Sequence, residues 1–341
     1  MPEPKSSEAA VTPQRIMEMT WGFVPPMLLS AALDNHVFDA LDGGTKDLDA
    51  LAKATGASKR GLRAMLNALA ALDILKRQGD RFALVPDTAA FLVSGKPGYL
   101  GGIVQHLTGQ LLQNFCQLSA IVRSGKPAAA VNQQKTGADF FSKFVESLFN
   151  LSFRTAGALG DYLAPHMPKN GNIQILDIAA GSGVWGFGVA QKFPGAKITA
   201  VDWPGVLPVT RRIADREKLA DRLRTVEGDI LEADYGKGFH IATLGAILHS
   251  EGEARSRRLL KKVFDALAPG GFIAISEFVP NEDRTGPPQP LLFAVNMLVH
   301  TDEGDTFTFK EMTGWLEQSG FRQVRQVDLQ APSPLLVATK P

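Results

Sequence analysis

A mostly apolar run that leads into a glycine-rich turn constrains this chain more than any other segment. Residues 173–178 read IQILDI, and Gly181 and Gly183 follow within five residues. Such a run is typical of a parallel strand that is buried on both faces. The glycines allow a tight turn and the close approach of a ligand. The segment therefore predicts a strand, a ligand-binding turn and a helix that begins near residue 184.

Further apolar segments alternate with helical ones after this unit. The predicted strands are residues 197–201, 223–226, 239–244 and 271–276, with a helix over residues 253–267. This alternation predicts an α/β fold with a doubly wound parallel sheet. Residues 324–329 and 335–339 are separated only by a short turn, so they cannot be parallel. The sheet should therefore end in an antiparallel hairpin.

The first part of the chain reads as helical. Residues 12–41 predict a helix that is broken or kinked at Pro25-Pro26, because proline lacks the N–H group and clashes with the preceding turn. A short helix should end at Gly56, and Ser58 can cap the next one. Residues 74–85 then read as a hairpin. Helix, turn, helix and hairpin are the elements of a winged helix.

Charge and cysteine content narrow the classes of partner. The 341 residues include 36 Lys and Arg and 35 Asp and Glu, which argues against a large nucleic-acid footprint. A single cysteine, Cys116, excludes an internal disulfide and fits a reducing compartment. We see no signal-peptide pattern and no stretch of about 18 uncharged apolar residues. We expect a cytoplasmic protein with no nucleic-acid or membrane partner.

Two cofactor classes fit the glycine turn. Gly181, Gly183 and Gly186 satisfy the dinucleotide pattern G-x-G-x-x-G, which leaves an NAD oxidoreductase as one alternative. Asp202 ends the next strand 21 residues after Gly181, where a carboxylate can accept hydrogen bonds from both ribose hydroxyls. Asp177 would repel a pyrophosphate but suits an ammonium or sulfonium group. Asp177 and the terminal hairpin therefore favour a cofactor that carries an ammonium or sulfonium group over a dinucleotide.

The motifs, taken in order, resemble those of class I S-adenosylmethionine-dependent methyltransferases. The resemblance is closer still to the dimeric small-molecule O-methyltransferase family with an N-terminal winged-helix domain, and it covers nearly the whole chain. The motifs are DIAAGSG at 177–183, VDWP at 201–204, EGDI at 227–230, LHSEGE at 248–253, LAPGG at 267–271, SEFVPNEDR at 276–284 and TFKEM at 308–312.

This resemblance implies the organisation of the molecule. It implies a winged-helix dimerisation domain over residues 1–100, a helical linker that lines the acceptor pocket over 101–168, and a catalytic domain with a Rossmann-like methyltransferase sheet over 169–341. It also implies S-adenosylmethionine as the methyl donor, a small-molecule acceptor and a homodimer formed through the N-terminal domain.

The family pattern also implies which residues bind the donor. Carried over by position, they are Asp177 and Gly181 at the methionine part, Gly183 in the same turn, Asp202 at the ribose, Trp203 on the adenine, and Asp229 and Ile230 at the adenine edge and face. Residues that follow neighbouring parallel strands converge on one edge of the sheet. Ala179 and Ala180 stand where the family usually has glycine, which costs little if the φ angles are negative.

For catalysis, the resemblance implies that His249 is the general base and that Glu277 orients it. A phenol has a pKa near ~10, so an imidazole with a pKa near ~6.5 is needed to take its proton as the methyl group is attacked. A second family acid falls at or beside Thr306, and Asp305 could substitute for it. The family's Asp-Trp after the histidine is here Ser250-Glu251.

Three alternatives remain at this point. His249 and His300 could together hold a metal and a keto acid for C-methylation, although two histidines without a third ligand favour no metal site. A relative could retain the donor but catalyse hydroxylation, decarboxylation or a pericyclic step. The basic side chains of the winged unit could bind DNA; they are Lys59, Arg60, Arg63, Lys76, Arg77 and Arg81. Residues 287–299 predict an apolar or aromatic acceptor.

Overall fold

Two units make up the chain, Met1–Gly109 and Gln110–Pro341. The computed structural model describes residues 11–128, 130, 131, 141, 145–168, 172–329 and 334–341. Part of the predicted linker, residues 129, 132–140 and 142–144, therefore lies outside the described residues. The rest of the linker from residue 110 onward belongs to the second unit.

Helices dominate the first unit. They are α1 (Gln14–Trp21), α2 (Val24–Asp34), α3 (Val37–Leu41), α4 (Leu48–Thr55), α5 (Lys59–Ala71), α6 (Pro86–Phe91) and α7 (Gly101–His106), followed along the chain by a π-helical turn over Leu107–Leu111. The strands β1 (Lys46–Asp47), β2 (Leu75–Gln78) and β3 (Arg81–Leu84) form an antiparallel sheet in the order β1-β3-β2.

The predicted helix–turn–helix–hairpin order is observed in this unit. Gly56 ends α4 with a φ of 72°, and the Ser58 hydroxyl accepts a hydrogen bond from the Gly61 N–H at the start of α5. The predicted break at Pro25-Pro26 was wrong in position. Both prolines lie in the first turn of α2, where a missing N–H leaves no bond unmade, and the interruption falls before them.

The segment that contains α1 and α2 exposes a large apolar surface. Helix α1 has no buried residue, and six large apolar side chains of this segment are exposed: Ile16, Met17, Met19, Trp21, Phe23 and Met27. The segment Gln14–Asp34 has a mean hydropathy of 1.3 over an 18-residue window, so by length and composition it could cross a membrane. Its longest uncharged run, residues 19–33 between Glu18 and Asp34, has 15 residues and stays below the roughly 18 uncharged apolar residues of the expectation.

Three of the six basic side chains that could bind DNA, those of Lys59, Arg77 and Arg81, contact neighbouring residues. Lys59 pairs with Asp49 at 2.8 Å. The Arg77 guanidinium donates to Asn67 and lies over the Phe82 ring, 5.7 Å from its centroid. These contacts are those of an ordinary solvated face with ion pairs.

A seven-stranded sheet forms the centre of the second unit, in the order β6-β5-β4-β7-β8-β10-β9. Strands β4 to β8 pair in parallel, and β10 runs antiparallel to both β8 and β9. The bounds are β4 (Gln174–Ile178), β5 (Lys197–Asp202), β6 (Leu223–Glu227), β7 (Phe239–Gly245), β8 (Leu267–Ser276), β9 (Arg322–Val327) and β10 (Leu335–Thr339). The Rossmann-like sheet with a terminal antiparallel hairpin is confirmed.

Helices cover both faces of this sheet. They are α8 (Leu112–Phe115), α9 (Leu118–Ser124), α10 (Val145–Leu163), α11 (Val184–Ala190), α12 (Leu207–Arg216), α13 (Leu248–Ala266), α14 (Pro288–His300) and α15 (Phe309–Ser319), with short 3₁₀ turns at Ala164–His166 and Ala220–Arg222. Successive residues of β4 enter different cores: Ile175 packs with α10 and α11, and Leu176 packs with α13 and α15. This is why the strand is apolar on both faces.

The order of the strands indicates where a ligand-binding crevice lies. Strands β5 and β6 lie on one side of β4, and the chain then crosses to place β7 on the other side. Ligands of open α/β sheets bind outside the carboxyl ends of the strands where the order reverses in this way. That position lies between the ends of β4 and β7.

Candidate active site

The turn after β4 uses the left-handed backbone region three times. Ala179, Gly181 and Gly183 have φ angles of 50°, 57° and 75°. A Cβ on Gly183 would lie 2.3 Å from Cε2 of Phe187, so a larger residue does not fit there. Alanine was expected to cost little here if its φ angle were negative. At Ala179 the φ angle is positive, which costs a non-glycine residue about 1–2 kcal/mol. Ala180 does not have a positive φ.

Asp177 fixes the turn to the sheet. Its carboxyl group is buried, and it accepts hydrogen bonds from the Thr243 hydroxyl at 2.7 Å and the Gly186 N–H at 3.0 Å. Burial raises the pKa of Asp177 to about 7. A Cβ on Gly186 would lie 2.9 Å from this carboxyl group, so the third glycine allows the helix to approach the strand. The contact of Asp177 with the methionine part stays a prediction.

Asp202 is held ready for a ligand by two backbone donors. One carboxylate oxygen accepts the Gly181 N–H and the other accepts the Trp203 N–H, both at 2.7 Å. Burial raises the pKa of Asp202 to about 6. Each oxygen keeps a second lone pair, so the pair can accept two ribose hydroxyls. Trp203 is half-buried, with its ring 6.1 Å from that of Phe141. This cradle fits the ribose of a nucleoside.

Asp229 belongs to a partly buried ion network that sequence analysis missed. The Arg255 guanidinium bridges Asp229 at 2.8 Å and Glu251 at 2.5 Å. Glu251 is buried, which raises its pKa. Asp229 also accepts the Leu231 N–H at 2.7 Å, and Ile230 is part of the apolar core. The four-residue spacing of Glu251 and Arg255 on one helix was the available signal.

His249 and Glu277 meet at the ends of β7 and β8. The Glu277 carboxylate accepts the N–H groups of Ile247 at 2.9 Å and Leu248 at 2.7 Å through one oxygen. Its other oxygen lies 2.6 Å from Nδ1 of His249. The side chains of His249 and Glu277 are 9% and 3% exposed. Because the carboxylate accepts, Nδ1 carries the hydrogen, and Nε2 presents a lone pair.

The chain leaves helical geometry on both sides of this histidine. Ala246 has a φ of 57°, and Gly252 has a φ of 71° within α13. His249 therefore stands on a short turn of its own between two backbone reversals. A Cβ on Gly252 would lie 2.7 Å from the carbonyl oxygen of Glu303, so the turn packs closely under the following loop.

Aromatic rings surround the histidine. The Phe293 and Phe278 rings lie 4.9 Å and 6.0 Å from the imidazole, centroid to centroid, and they stack on each other at 4.0 Å. Phe293 belongs to α14, within the residues 287–299 that we predicted to line the acceptor pocket. Sequence analysis named that segment but neither ring.

Asp305 is not brought to the imidazole. Within the residues that the structure describes, its carboxylate pairs with Arg284 at 3.6 Å and accepts the N–H of Thr306. Only its backbone N–H reaches the histidine residue, at the carbonyl oxygen of His249, 2.9 Å away. The prediction that Asp305 replaces the second family acid is therefore corrected, because the guanidinium attracts this carboxylate instead. The Thr306 hydroxyl is buried without a hydrogen-bond partner among the described residues.

His300 is committed to structural hydrogen bonds. Nδ1 donates to the Asn296 carbonyl oxygen and Nε2 accepts from the Asn114 amide, both at 3.0 Å. Burial lowers the pKa of His300. Residues 11–128, 130, 131, 141, 145–168, 172–329 and 334–341 contain no group of three His, Cys, Asp or Glu side chains placed to hold a metal. Both ring nitrogens of His300 already have protein partners.

Two family models match the chain. An O-methyltransferase domain matches residues 122–322, which is more than half of the chain, and an O-methyltransferase dimerisation domain matches residues 17–94. The matched regions contain the two carboxylate sites and the N-terminal helices, respectively. These matches establish the family.

Individual relatives agree along their full length. The 3-hydroxy-5-methyl-1-naphthoate 3-O-methyltransferase of Streptomyces sahachiroi is 29% identical over 94% of this chain and 92% of its own. The tetracenomycin polyketide synthesis 8-O-methyl transferase of Streptomyces glaucescens is 27% identical over 96% and 97%. The structure of PigF with SAH has a TM-score of 0.83 at 25% identity and covers 97% of this chain and 100% of that one. The chain belongs to the S-adenosylmethionine-dependent O-methyltransferases.

Proposed function

We propose that His249 is the general base for methylation of an aromatic hydroxyl. The 2.6 Å bond between Nδ1 and the Glu277 carboxylate carries this proposal. It fixes the tautomer in which Nε2 can accept a proton from the acceptor. S-adenosylmethionine supplies the electrophilic methyl group on its sulfonium. The imidazole takes the proton as the hydroxyl oxygen attacks, and the adjacent carboxylate stabilises the resulting imidazolium.

The acceptor is proposed to be a planar aromatic phenol. The stacked Phe278 and Phe293 rings present apolar surface beside the imidazole, where a flat ring can pack. The names of two relatives support the same class, since one acts on a hydroxynaphthoate and the other in tetracenomycin synthesis. A hydroxyl on a fused ring would then point towards Nε2.

A screen with methyl-labelled S-adenosylmethionine tests both parts of the proposal. We expect label transfer to naphthols and larger fused phenols, with one S-adenosylhomocysteine formed per methyl group. Saturated cyclic alcohols of the same size serve as controls and should remain unlabelled. Phe293→Ala should raise KM for the fused phenols more than for phenol itself. Equal activity on saturated and aromatic alcohols would contradict the acceptor class.

We also propose that a second copy of the chain covers the N-terminal apolar surface. The exposed Trp21 and Phe23 side chains lie within the residues 17–94 that match the dimerisation domain. Apolar surface of this extent marks an interface. In this proposal the helix–turn–helix–hairpin elements act as a winged-helix dimerisation module.

Sedimentation at micromolar concentration tests the dimer. The wild-type chain should sediment as a dimer, and Trp21→Glu with Phe23→Glu should shift it to monomer. Leu72→Glu, at another exposed apolar position of the same unit, is the matched control and should leave the dimer intact. A monomeric wild-type protein would contradict the proposal, and recruitment to lipid vesicles would assign the surface to a membrane instead.

A further inference from the structure

Trp185 lies at the open end of the crevice between β4 and β7. It stands in the first turn of α11, two residues after Gly183, and Gly245 is the last residue of β7. A Cβ on Gly245 would lie 2.1 Å from both Cδ1 and Nε1 of Trp185. The indole therefore packs directly on the backbone at the strand end, and only glycine at position 245 leaves room for it.

The indole N–H has no acceptor among the described residues. Trp185 is 9% exposed, and its indole makes no hydrogen bond within the part of the chain that the structure describes. Its Nε1 is not fully enclosed, so the atom still reaches accessible space. An indole N–H can only donate, and a nearly buried donor is costly when it is unpaired. The site is thus suited to an acceptor that arrives with a ligand.

The position of Trp185 indicates which part of the methyl donor it would contact. Asp202 marks the ribose end of the donor site, and the glycine turn from Ala179 to Gly183 separates Asp202 from Trp185 along the crevice. The methionine part must then extend beyond that turn, towards Gly245. Its carboxylate is the only anionic group of S-adenosylmethionine and its strongest acceptor.

We propose that Trp185 binds the methionine carboxylate of the methyl donor through its indole N–H, and that Gly245 is required to admit the ring. The assignment rests on the proposed methyltransferase function and on the prediction that Asp202 binds the ribose of the donor. In this arrangement Trp185 is a specificity-determining residue for the amino-acid part of the donor.

Two ligands separate this role from general packing. S-adenosylhomocysteine carries the amino-acid part, whereas 5′-methylthioadenosine lacks it but keeps the adenine, ribose and thioether. Trp185→Phe removes the N–H and keeps an aromatic ring. By calorimetry, we expect the Kd for S-adenosylhomocysteine to rise about ten- to a hundredfold, as for loss of a charge-assisted bond. The Kd for 5′-methylthioadenosine should stay within about twofold.

Matched variants complete the design. Gly245→Ala displaces the indole without changing it and should cause the same selective loss. Trp315→Phe, in the separate core beside Phe307, should change neither affinity. Asp202→Ala should weaken both ligands, because both contain the ribose. Equal weakening of both ligands by Trp185→Phe, or no weakening, would overturn the proposal, whereas failure of the wild-type protein to bind either ligand would overturn the donor site itself.

A measurement on the wild-type protein covers the case in which these variants misfold. With ¹⁵N-labelled tryptophan, one indole N–H resonance should move downfield with S-adenosylhomocysteine and not with 5′-methylthioadenosine. The same response to both ligands would contradict a bond to the carboxylate.

Discussion

Asp202 ends one strand of the sheet and Glu277 follows another, and both carboxylates accept backbone N–H groups. The two carboxylates distribute these bonds differently. Asp202 uses one oxygen for each of two N–H groups, so each oxygen keeps a lone pair for a ligand. Glu277 gathers the N–H groups of Ile247, Leu248 and His249 on one oxygen and commits the other oxygen to His249. The first arrangement suits ligand binding, and the second suits the orientation of a base.

The two sites also differ in the strand pairings that build them. The Asp202 cradle is made from two short motifs that adjoin in the sheet through β4 and β5. The His249–Glu277 pair depends on the register of β7 with β8, in which Gly245 lies opposite Ser276. A change at the first site should therefore alter affinity for the donor, and a change at the second should alter turnover.

The largest effect should come from Glu277→Gln. The amide oxygen can still accept the N–H groups of Ile247 and Leu248, but the amide nitrogen then faces Nδ1 of His249. This forces the hydrogen onto Nε2, so the imidazole cannot accept a proton. We expect kcat to fall by about 10²–10⁴. Calorimetry should show unchanged affinity for S-adenosylhomocysteine, and an equal loss of affinity would contradict the separation of the two sites.

Asp202→Ala should weaken donor binding more than it lowers turnover. Loss of charge-assisted bonds to the ribose should raise the Kd of the donor about ten- to a hundredfold. Turnover at saturating donor should fall much less. Unaltered calorimetric affinity in a folded variant would remove Asp202 from the donor site.

Donor affinity should also depend on pH through Asp202. Burial raises the pKa of Asp202 to about 6, so the ionised carboxylate that is predicted to accept the ribose hydroxyls is lost as the pH falls below this value. We expect the Kd of S-adenosylhomocysteine to be nearly constant above pH 7 and to rise about tenfold by pH 5. Asp202→Asn should bind more weakly throughout and flatten this rise. The same pH profile in both proteins would assign the titration to another group.

The smallest effect should come from Ala179→Gly. Glycine relieves the left-handed strain at φ 50° but loses more backbone entropy on folding. The net result should be a gain of about 0.5–1 kcal/mol in the free energy of unfolding, measured in urea. Ala180→Gly, where the φ is not positive, is the control and should destabilise slightly. Equal changes in the two variants would show that Ala179 is not strained.

Patterns within continuous segments of the sequence predicted most strands of the sheet. The apolar runs and the short turn before β10 indicated the strands and the terminal hairpin, because burial on both faces leaves a signal in sequence. Asp202 was predictable from its spacing to Gly181 and the strand that it ends. The strain at Ala179 was not, since alanine by itself gives no indication of a positive φ.

Side chains that meet across elements were harder to predict. His249 and Glu277 came from resemblance to a family, not from spacing, because their contact depends on strand register. Trp185 and Arg255 were missed since both read as ordinary helix residues until Gly245 and Asp229 are placed beside them. Asp305 was assigned by proximity in sequence to Thr306, and Arg284, from a different loop, determines its actual partner.

A series of phenols of decreasing pKa tests whether His249 removes the proton from the acceptor. The measurement is kcat for wild type and His249→Ala, with S-adenosylhomocysteine affinity as the check on folding. We expect kcat to fall by about 10²–10⁴ for phenols with a pKa near ~10. This loss should shrink steadily as the phenol becomes more acidic or the pH approaches the pKa of the phenol. A loss below about tenfold that is independent of the acceptor pKa would contradict this role of His249 and would leave proximity as the source of catalysis.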